Sequence, residues 1–108
     1  GAGKSGVKAY SYVYKYMKNN IIAWVDGNYE FLSKEIDENI KNPTEINYKK
    51  VDKVIITVLN ADSVASIKRM LKDNGVDEYK ISWVPQEYIQ NPRYVLDKID
   101  SARKNIEI

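Results

Sequence analysis

The chain has 108 residues, with 17 basic and 15 acidic side chains and a net charge of +2. This length suits one domain, and the near balance of charge gives no electrostatic reason to expect a nucleic-acid partner. Cysteine and histidine are absent, which excludes disulfides, thiol nucleophiles, a Ser-His-Asp triad and the commonest zinc ligands. Because no apolar stretch is long enough to span a bilayer or to form a signal peptide, we expect a cytoplasmic protein without membrane insertion.

The first part of the chain predicts a helix followed by a buried strand. The helix is expected to end near Asn19-Asn20 and to carry one apolar face. That face consists of Val7, Tyr10, Tyr14 and Met17. The continuous apolar run 21–25 is typical of a strand buried on both faces of a parallel sheet. The Asp-Gly-Asn sequence at 26–28 then predicts a turn.

The middle of the chain is less regular until a second buried strand begins. Residues 29–37 fit a short helix or a loop, residues 39–41 a short edge strand, and residues 43–46 one helical turn. The β-branched run 54–58 predicts the clearest strand in the sequence.

Another helix, a strand and a last helix are expected after this run. The helix should extend from about Ser63 to Asp73, with Asp62 as its N-cap and Asn74-Gly75 as its C-terminal stop. Its inward residues are Val64, Ile67 and Leu71. Residues 80–84 predict a strand, and Asn91-Pro92 starts the last helix. The apolar stripe of the last helix is Val95, Ile99, Ala102 and Ile106.

This alternation of strands and helices predicts an α/β fold, a Rossmann-like three-layer domain with a small parallel sheet and right-handed crossovers. We assign residues 1–90 to a Rossmann-like nucleotide-binding domain. Residues 91–108 are expected to form a C-terminal helix that packs on this domain or connects it to a further one.

The strongest motif is Gly1-x-Gly3-x-x-Gly6 at the start of the first helix, the phosphate-binding pattern of dinucleotide domains. The glycines permit a tight turn, close approach of backbone N–H groups to a pyrophosphate, and close packing of the helix. Lys4 is a candidate phosphate contact, and Ser5 a candidate helix cap or phosphate contact. A structural turn entering a helix is the alternative explanation of the three glycines.

Two polar residues end neighbouring strands at the expected ligand-binding edge. Asp26 follows the first strand at the distance from Gly3 and Gly6 where dinucleotide domains place an acid on a ribose hydroxyl. Asn60 ends the second strong strand and is a candidate contact for the far end of the ligand. A turn role for Asp26 and a helix-capping role for Asn60 are the competing explanations.

Residues 1–6, 21–26 and 53–60 together resemble the Rossmann-like domains of bacterial sugar-nucleotide and surface-polysaccharide enzymes. These include epimerase/dehydratase-like domains, N-terminal domains of sugar acetyltransferases and leader domains of FkbM-type methyltransferases. The resemblance implies an NAD(P) or nucleotide-sugar ligand, with Gly1, Gly3 and Gly6 facing the phosphates and Asp26 facing the ribose.

Two features depart from that family. The first strand of such domains precedes the glycine loop, and none precedes Gly1 here. Either the strand belongs to residues before Gly1, which we favour, or the sheet is incomplete. The Tyr-x-x-x-Lys pair of short-chain epimerases is also missing from its usual place, because Tyr14 and Lys18 have the spacing but lie on the first helix. We therefore expect a binding module of a larger enzyme, with no catalytic residue of its own.

Other assignments remain open at this stage. A structural or interaction domain that has lost its ligand is one, and an S-adenosylmethionine-binding domain is another. Gly3-Lys4-Ser5 matches the end of a P-loop, although the strand 54–58 is followed by Leu59-Asn60 where a magnesium-organising acid is expected. The first helix carries four tyrosines, and those that it leaves exposed predict a contact with another domain or with a homodimer partner.

Overall fold

A computed structural model describes residues 1–99 and 105–108 of the chain. The helices are α1 (Lys4–Met17), α2 (Tyr29–Glu35), α3 (Ala61–Asp73) and α4 (Pro92–Asp97). The strands are β1 (Ile21–Val25), β2 (Ile40–Lys41), β3 (Lys53–Ile56), β4 (Ile81–Trp83) and β5 (Ile106–Glu107). Short 3-10 turns connect several of them, including Pro43–Glu45 and Tyr48–Lys50 between β2 and β3.

The described strands form a parallel sheet in the order β2-β1-β5-β3-β4. The last strand in the sequence, β5, therefore occupies the central position. It pairs with β1 through Ile21 and Ile106, and with β3 through Val54 and Glu107. The helices lie on both faces of the sheet, which confirms the predicted Rossmann-like α/β class.

One face of the sheet is covered by α1 and α4. Ile55, Ile106 and Ile108 pack there in one cluster of buried residues that also contains Ala9 of α1 and Val95 of α4. Val95 and Ile99 of segment 91–99 are buried in this cluster, so the segment packs on the sheet. The opposite face is covered by α3, whose Val64 and Leu71 lie in a second cluster with Val54 and Ile56.

The helix α1 uses small residues, and not the predicted tyrosine stripe, for its closest contact with the sheet. Ala9 and Val13 are fully buried, whereas Tyr14 is 51% exposed. Tyr10 lies at the flank and stacks on Trp24 with a ring-centroid distance of 3.8 Å. The prediction was wrong at Tyr14 because small side chains let a helix approach a sheet closely, which moves large rings to the edges of the contact.

The final helix is shorter than predicted. It ends at Asp97, and Ile106 lies in β5 instead of on a helical stripe. Ala102, the remaining member of that stripe, lies outside the described residues. The backbone enters β5 through Asn105, whose φ of 55° is the left-handed conformation that asparagine tolerates. The alternation Ile-Glu-Ile then follows the two-residue period of a strand.

This arrangement supplies the central strand that the sequence seemed to lack before Gly1. In parallel Rossmann-type sheets that position belongs to the strand leading into the glycine loop, and here β5 fills it from the other end of the chain. The described sheet is therefore continuous across this position.

Several local predictions are confirmed and two are corrected. β1 has the predicted bounds, Asn91 caps α4 with Pro92 in its first turn, and Gly75 ends α3 with a φ of 87°. However, β3 ends at Ile56 and not at Val58. The N-cap of α3 is Asn60 and not Asp62, because the asparagine carbonyl oxygen accepts from the backbone N–H groups of the first turn. Within the described residues, no helix combines the length and apolar character needed to cross a bilayer.

The central position of β5 predicts a large effect of truncating its buried side chain. We expect Ile106→Ala to lower the free energy of unfolding by about 2–5 kcal/mol, because Ile106 is fully buried and its removal leaves a cavity. Ile22→Ala in β1 is the matched control, since Ile22 is 41% exposed, and it should cost less than about 1 kcal/mol. Urea unfolding of both variants measures the difference, and equal costs would contradict the central burial of β5.

Candidate functional site

The glycine loop lies at the carboxyl edge of the sheet and leads directly into α1. Gly3 is the N-cap, with an extended backbone and no side-chain cap from the described residues. The N–H groups of the first helical turn have no partner within a helix. They therefore form a donor set that an anion can accept from, reinforced by the partial positive charge of the helix terminus.

The three glycine positions differ in how much space an added side chain would have. A Cβ on Gly1 would lie 2.6 Å from the Thr57 hydroxyl oxygen, and a Cβ on Gly6 would overlap the Gly1 carbonyl. These two glycines are therefore required by packing. A Cβ on Gly3 would meet nothing within 4 Å, so the space above Gly3 is open. That space lies at the N-terminus of α1, so packing with the described residues does not require glycine at this position.

Asp26 lies beside the glycine loop, as predicted from the sequence. One carboxylate oxygen accepts from the Ala2 N–H at 2.8 Å, and the other accepts from the Asn28 N–H at 2.8 Å. The residue therefore fixes the glycine loop and its own turn at the same time. Each oxygen retains a further lone pair, so a ribose hydroxyl can still donate to this carboxylate.

The remaining predicted residues have different surroundings. Lys4 is exposed at the first turn of α1, and Ser5 is buried beneath it. Asn60 accepts from Asp62 and Ser63 through its side-chain oxygen, and it does not line the cavity beside the loop. The structure thus brings Gly1, Gly3, Gly6 and Asp26 together with Lys4 and Ser5, while Asn60 serves α3 as its cap.

A cavity of about 510 Å³ opens beside the glycine loop, between the sheet and α3. Polar residues from the loop ends and the start of α3 line part of it, and these are Asp26, Thr57, Asp62 and Ser63. Its apolar walls include Val54, Ile56, Ile67, Met70 and Leu71. Residues 42–52 cross from β2 to β3 with only short turns, and Pro43 and Tyr48 of this crossover also line the cavity.

Two cavity residues were not predicted from the sequence: Glu107 of β5 and Tyr48 of the crossover. Glu107 is 1% exposed, and its carboxylate lies 3.0 Å from the Tyr48 hydroxyl. Burial raises the pKa of Glu107 to about 7, against a smaller lowering by the hydrogen bond from Tyr48. Burial also raises the pKa of Tyr48 well above its ordinary range, and the neighbouring Glu107 adds to that rise.

The hydroxyl of Tyr48 has two acceptors and one proton. It lies 2.8 Å from the Pro43 carbonyl oxygen and 3.0 Å from Glu107. When Tyr48 donates to Pro43, the contact with Glu107 is a hydrogen bond only if the carboxyl carries a proton and donates to the phenol oxygen. When Glu107 is ionised, Tyr48 must donate to it and leave Pro43. The raised pKa of Glu107 therefore comes from its burial, because a hydrogen bond donated by Tyr48 favours the ionised carboxylate.

Sequence reasoning missed this pair because its members are far apart in the chain. The one local indication was the alternation Ile106-Glu107-Ile108, which has the period of a strand. An acid in that pattern normally predicts a solvent-facing position, and only the central location of β5 buries it. Tyr48 lies in an irregular segment without periodicity, where no pattern predicts burial.

Comparisons with family models, with curated proteins and with solved structures found no match for this chain. The resemblance to bacterial polysaccharide enzymes therefore stays a prediction. A Rossmann-like fold hosts many functions, so the interpretation of the site depends on its own geometry.

The unequal surroundings of the glycines predict unequal effects of alanine. Gly6→Ala should lower the free energy of unfolding by about 3 kcal/mol or more, because the new methyl group overlaps the backbone of Gly1. Gly3→Ala should change it by no more than about 1 kcal/mol, because the methyl group enters open space and only the N-cap preference changes. Thermal unfolding of both variants tests this order, and a larger loss at Gly3 would contradict the loop geometry.

The buried carboxyl predicts a pH-dependent stability difference. Between its ordinary value of 4.5 and the raised pKa of about 7, folded Glu107 keeps a proton that the unfolded chain releases. The contribution of Glu107 to stability therefore falls as pH rises through this window, by about 3 kcal/mol in total. We therefore expect the free energy of unfolding of Glu107→Gln, relative to that of the unsubstituted protein, to rise by this amount between pH 4 and pH 8. Urea unfolding of both proteins measures the difference.

A control variant shows that the difference belongs to this buried carboxyl and not to the loss of any negative charge of the crossover. Glu45→Gln is the control, because Glu45 is an exposed carboxylate of the same crossover. A Glu107→Gln difference that is constant with pH would show that the carboxyl is not perturbed.

Proposed function

We propose that this chain is a nucleotide-binding module that holds NAD(P) or a nucleotide sugar at the carboxyl edge of its sheet. The observation that carries the proposal is the open N-terminus of α1 at Gly3, which has no side-chain cap from the described residues. Asp26, which lines the cavity, lies beside it and accepts from the Ala2 N–H. Ligands of open α/β sheets bind at this edge.

The phosphates of the ligand would accept hydrogen bonds from the first turn of α1. Gly3 leaves the required space, and the packing of Gly1 and Gly6 against Thr57 and each other keeps the loop close to the sheet. Lys4 is exposed next to that space and would add a positive charge near the phosphates.

The ribose would lie against Asp26. Because the Ala2 and Asn28 N–H groups hold both carboxylate oxygens in place, the acceptor is positioned before the ligand arrives, which reduces the entropy cost of binding. A fixed carboxylate here favours a free 2′-hydroxyl and repels a 2′-phosphate. We therefore expect NAD to bind more tightly than NADP.

The resemblance seen in the sequence suggests a parent for this module, a bacterial sugar-nucleotide or polysaccharide-biosynthesis enzyme. The chain offers binding groups at this edge, and the acid–base pair of short-chain epimerases is not among the described residues that face it. In this proposal the module holds the ligand, and the chemistry is supplied elsewhere in the enzyme.

The first test is a thermal-shift screen of the protein with NAD, NADP, ATP, S-adenosylmethionine and UDP-glucose. A ligand that binds the folded state raises the melting temperature, and we expect this for NAD or for UDP-glucose. Gly3→Ser should reduce the affinity at least tenfold, because the serine hydroxyl caps α1 and occupies the space for the phosphate. The fold should keep its stability, since serine is a better N-cap than glycine.

Asn91→Ser is the matched control for this experiment. Asn91 is also a helix N-cap, but it lies outside the cavity lining, so its replacement should leave the affinity unchanged. A flat screen at millimolar ligand would reject the nucleotide proposal and favour a structural or interaction domain. A shift with S-adenosylmethionine alone would reassign the ligand class.

A further inference from the structure

Charge is divided unevenly between the first two helices of the chain. Residues 1–25 contain four lysines and no acid, whereas residues 30–38 contain four acids and one lysine. The small net charge of +2 therefore conceals a basic α1 and an acidic segment that begins in α2. Local charges of this kind decide which surfaces can meet, whatever the net charge of the whole chain.

The lysines of α1 form one exposed stripe. Lys8, Lys15 and Lys18 are exposed, and at 3.6 residues per turn they share the side of the helix opposite the fully buried Val13. Tyr14 lies one turn before Lys18 at the margin of this stripe and is half-exposed. The stripe thus combines positive charge with an aromatic ring that the described core does not cover.

The acidic segment, residues 30–38, presents the opposite charge around another exposed ring. Glu30, Glu35 and Glu38 are exposed, and Phe31 is 57% exposed although it is a large apolar residue. Leu32 is the residue of this helix that packs inward. Phe31 therefore lies on the outer side of α2, between the acids Glu30 and Glu35.

The lysine stripe and the acidic segment belong to the same face of the sheet. Tyr10 of α1 and Leu32 of α2 pack against one buried cluster. Burial raises the pKa of Tyr10, and the charge of Asp37 adds to that rise, so the end of the acidic segment lies near α1. Tyr10 also stacks on Tyr14 with a ring-centroid distance of 5.7 Å, which places Tyr14 on the side of α1 that faces the acidic segment.

These opposite charges do not pair with each other within the described residues. The one salt bridge there joins Lys72 of α3 to Glu78, and neither residue belongs to this face. The face therefore offers a basic strip and an acidic strip next to each other, both exposed. A surface with the reversed order of charges is complementary to it.

We propose that a second copy of this chain covers this face, in a two-fold dimer that places the lysine stripe of α1 on the acidic segment of its partner. A two-fold axis makes this contact twice, because each copy contributes both strips. Contact of α1 with α1 would oppose like charges, which disfavours that alternative. Tyr14 and Phe31 supply the aromatic area that such interfaces use.

This inference stands apart from the proposed function, because the glycine loop and the cavity take no part in it. Sedimentation velocity of the protein between micromolar and millimolar concentration tests it without any ligand. At low salt we expect a concentration-dependent shift from monomer to dimer, which added salt weakens by screening the exposed charges. A monomer at millimolar concentration in low salt would overturn the proposal, as would an open series of larger oligomers.

Two charge-reversed variants test the crossed pairing. Lys15→Glu with Lys18→Glu, and separately Glu30→Lys with Glu35→Lys, should each weaken the dimer at least tenfold, because like charges then meet at both contacts. The fold should persist, since all four side chains are exposed. An equimolar mixture of the two variants should restore association, because opposite charges again meet at both contacts. Failure of the mixture to associate would contradict the crossed arrangement.

A control for net charge is Lys49→Glu with Lys50→Glu in the crossover. These two lysines are exposed but lie outside both strips, so this variant should dimerise like the unsubstituted protein. Weakening equal to that of the α1 variant would show that only net charge matters, and would reject the proposed contact.

The exposed ring of α2 gives a test that does not change charge. Phe31→Ser should weaken the dimer about tenfold through the loss of buried apolar area. Tyr79→Ser is the matched control, because Tyr79 is exposed in the turn before β4, at the opposite edge of the sheet from β2. Equal effects of the two substitutions would contradict the assigned face.

Other occupants of the lysine stripe give different results. The probes are an oligodeoxythymidine and vesicles of phosphatidylglycerol. A protein that stays monomeric and binds either probe, with binding lost in Lys15→Glu with Lys18→Glu, would use the stripe for a polyanion, and the dimer would be rejected.

Discussion

The structure depends on the pairing of one short strand with two neighbours. In the described sheet β1 and β3 do not pair with each other, and β5 joins them by hydrogen bonding on both of its edges. Beyond β5, Ile108 extends the contact, because its N–H donates to Ala23 and its carbonyl accepts from Val25. Without this strand the inner edges of two buried strands would be left without partners, which is energetically costly.

The same strand also organises the candidate site. Its isoleucines face α1 and α4, so the side chain between them must face α3 and the cavity. The glycine loop packs against the neighbouring strand end through Thr57, and Asp26 ties this loop to the end of β1. The glycine loop, Asp26 and the cavity are thus parts of one edge of the sheet that β5 holds together.

The sequence predicted well what depends on local pattern. Neighbouring residues determine the strand 21–25, the helix start at Asn91-Pro92 and the helix stop at Gly75. They also determine the glycine turn before α1 and the turn at Asp26. It failed where the outcome depends on contacts between distant segments. Residues 106–108 are too few to outweigh the helical pattern before them, and Glu107 is buried only because β1 and β3 flank it. For the same reason Tyr14, which shares the spacing of the inner face, is displaced outward by the closer packing of Ala9 and Val13.

The central place of β5 also bears on how the domain folds during synthesis. Pairing Ile21 with Ile106 joins segments from opposite ends of this chain, so the contact is highly non-local and slow to form. While the ribosome is still making residues 106–107, β1 with β2 and β3 with β4 can assemble only as two separate half-sheets. Their inner edges stay unpaired until β5 joins them, and unpaired strand edges are the places where other chains can add by hydrogen bonding.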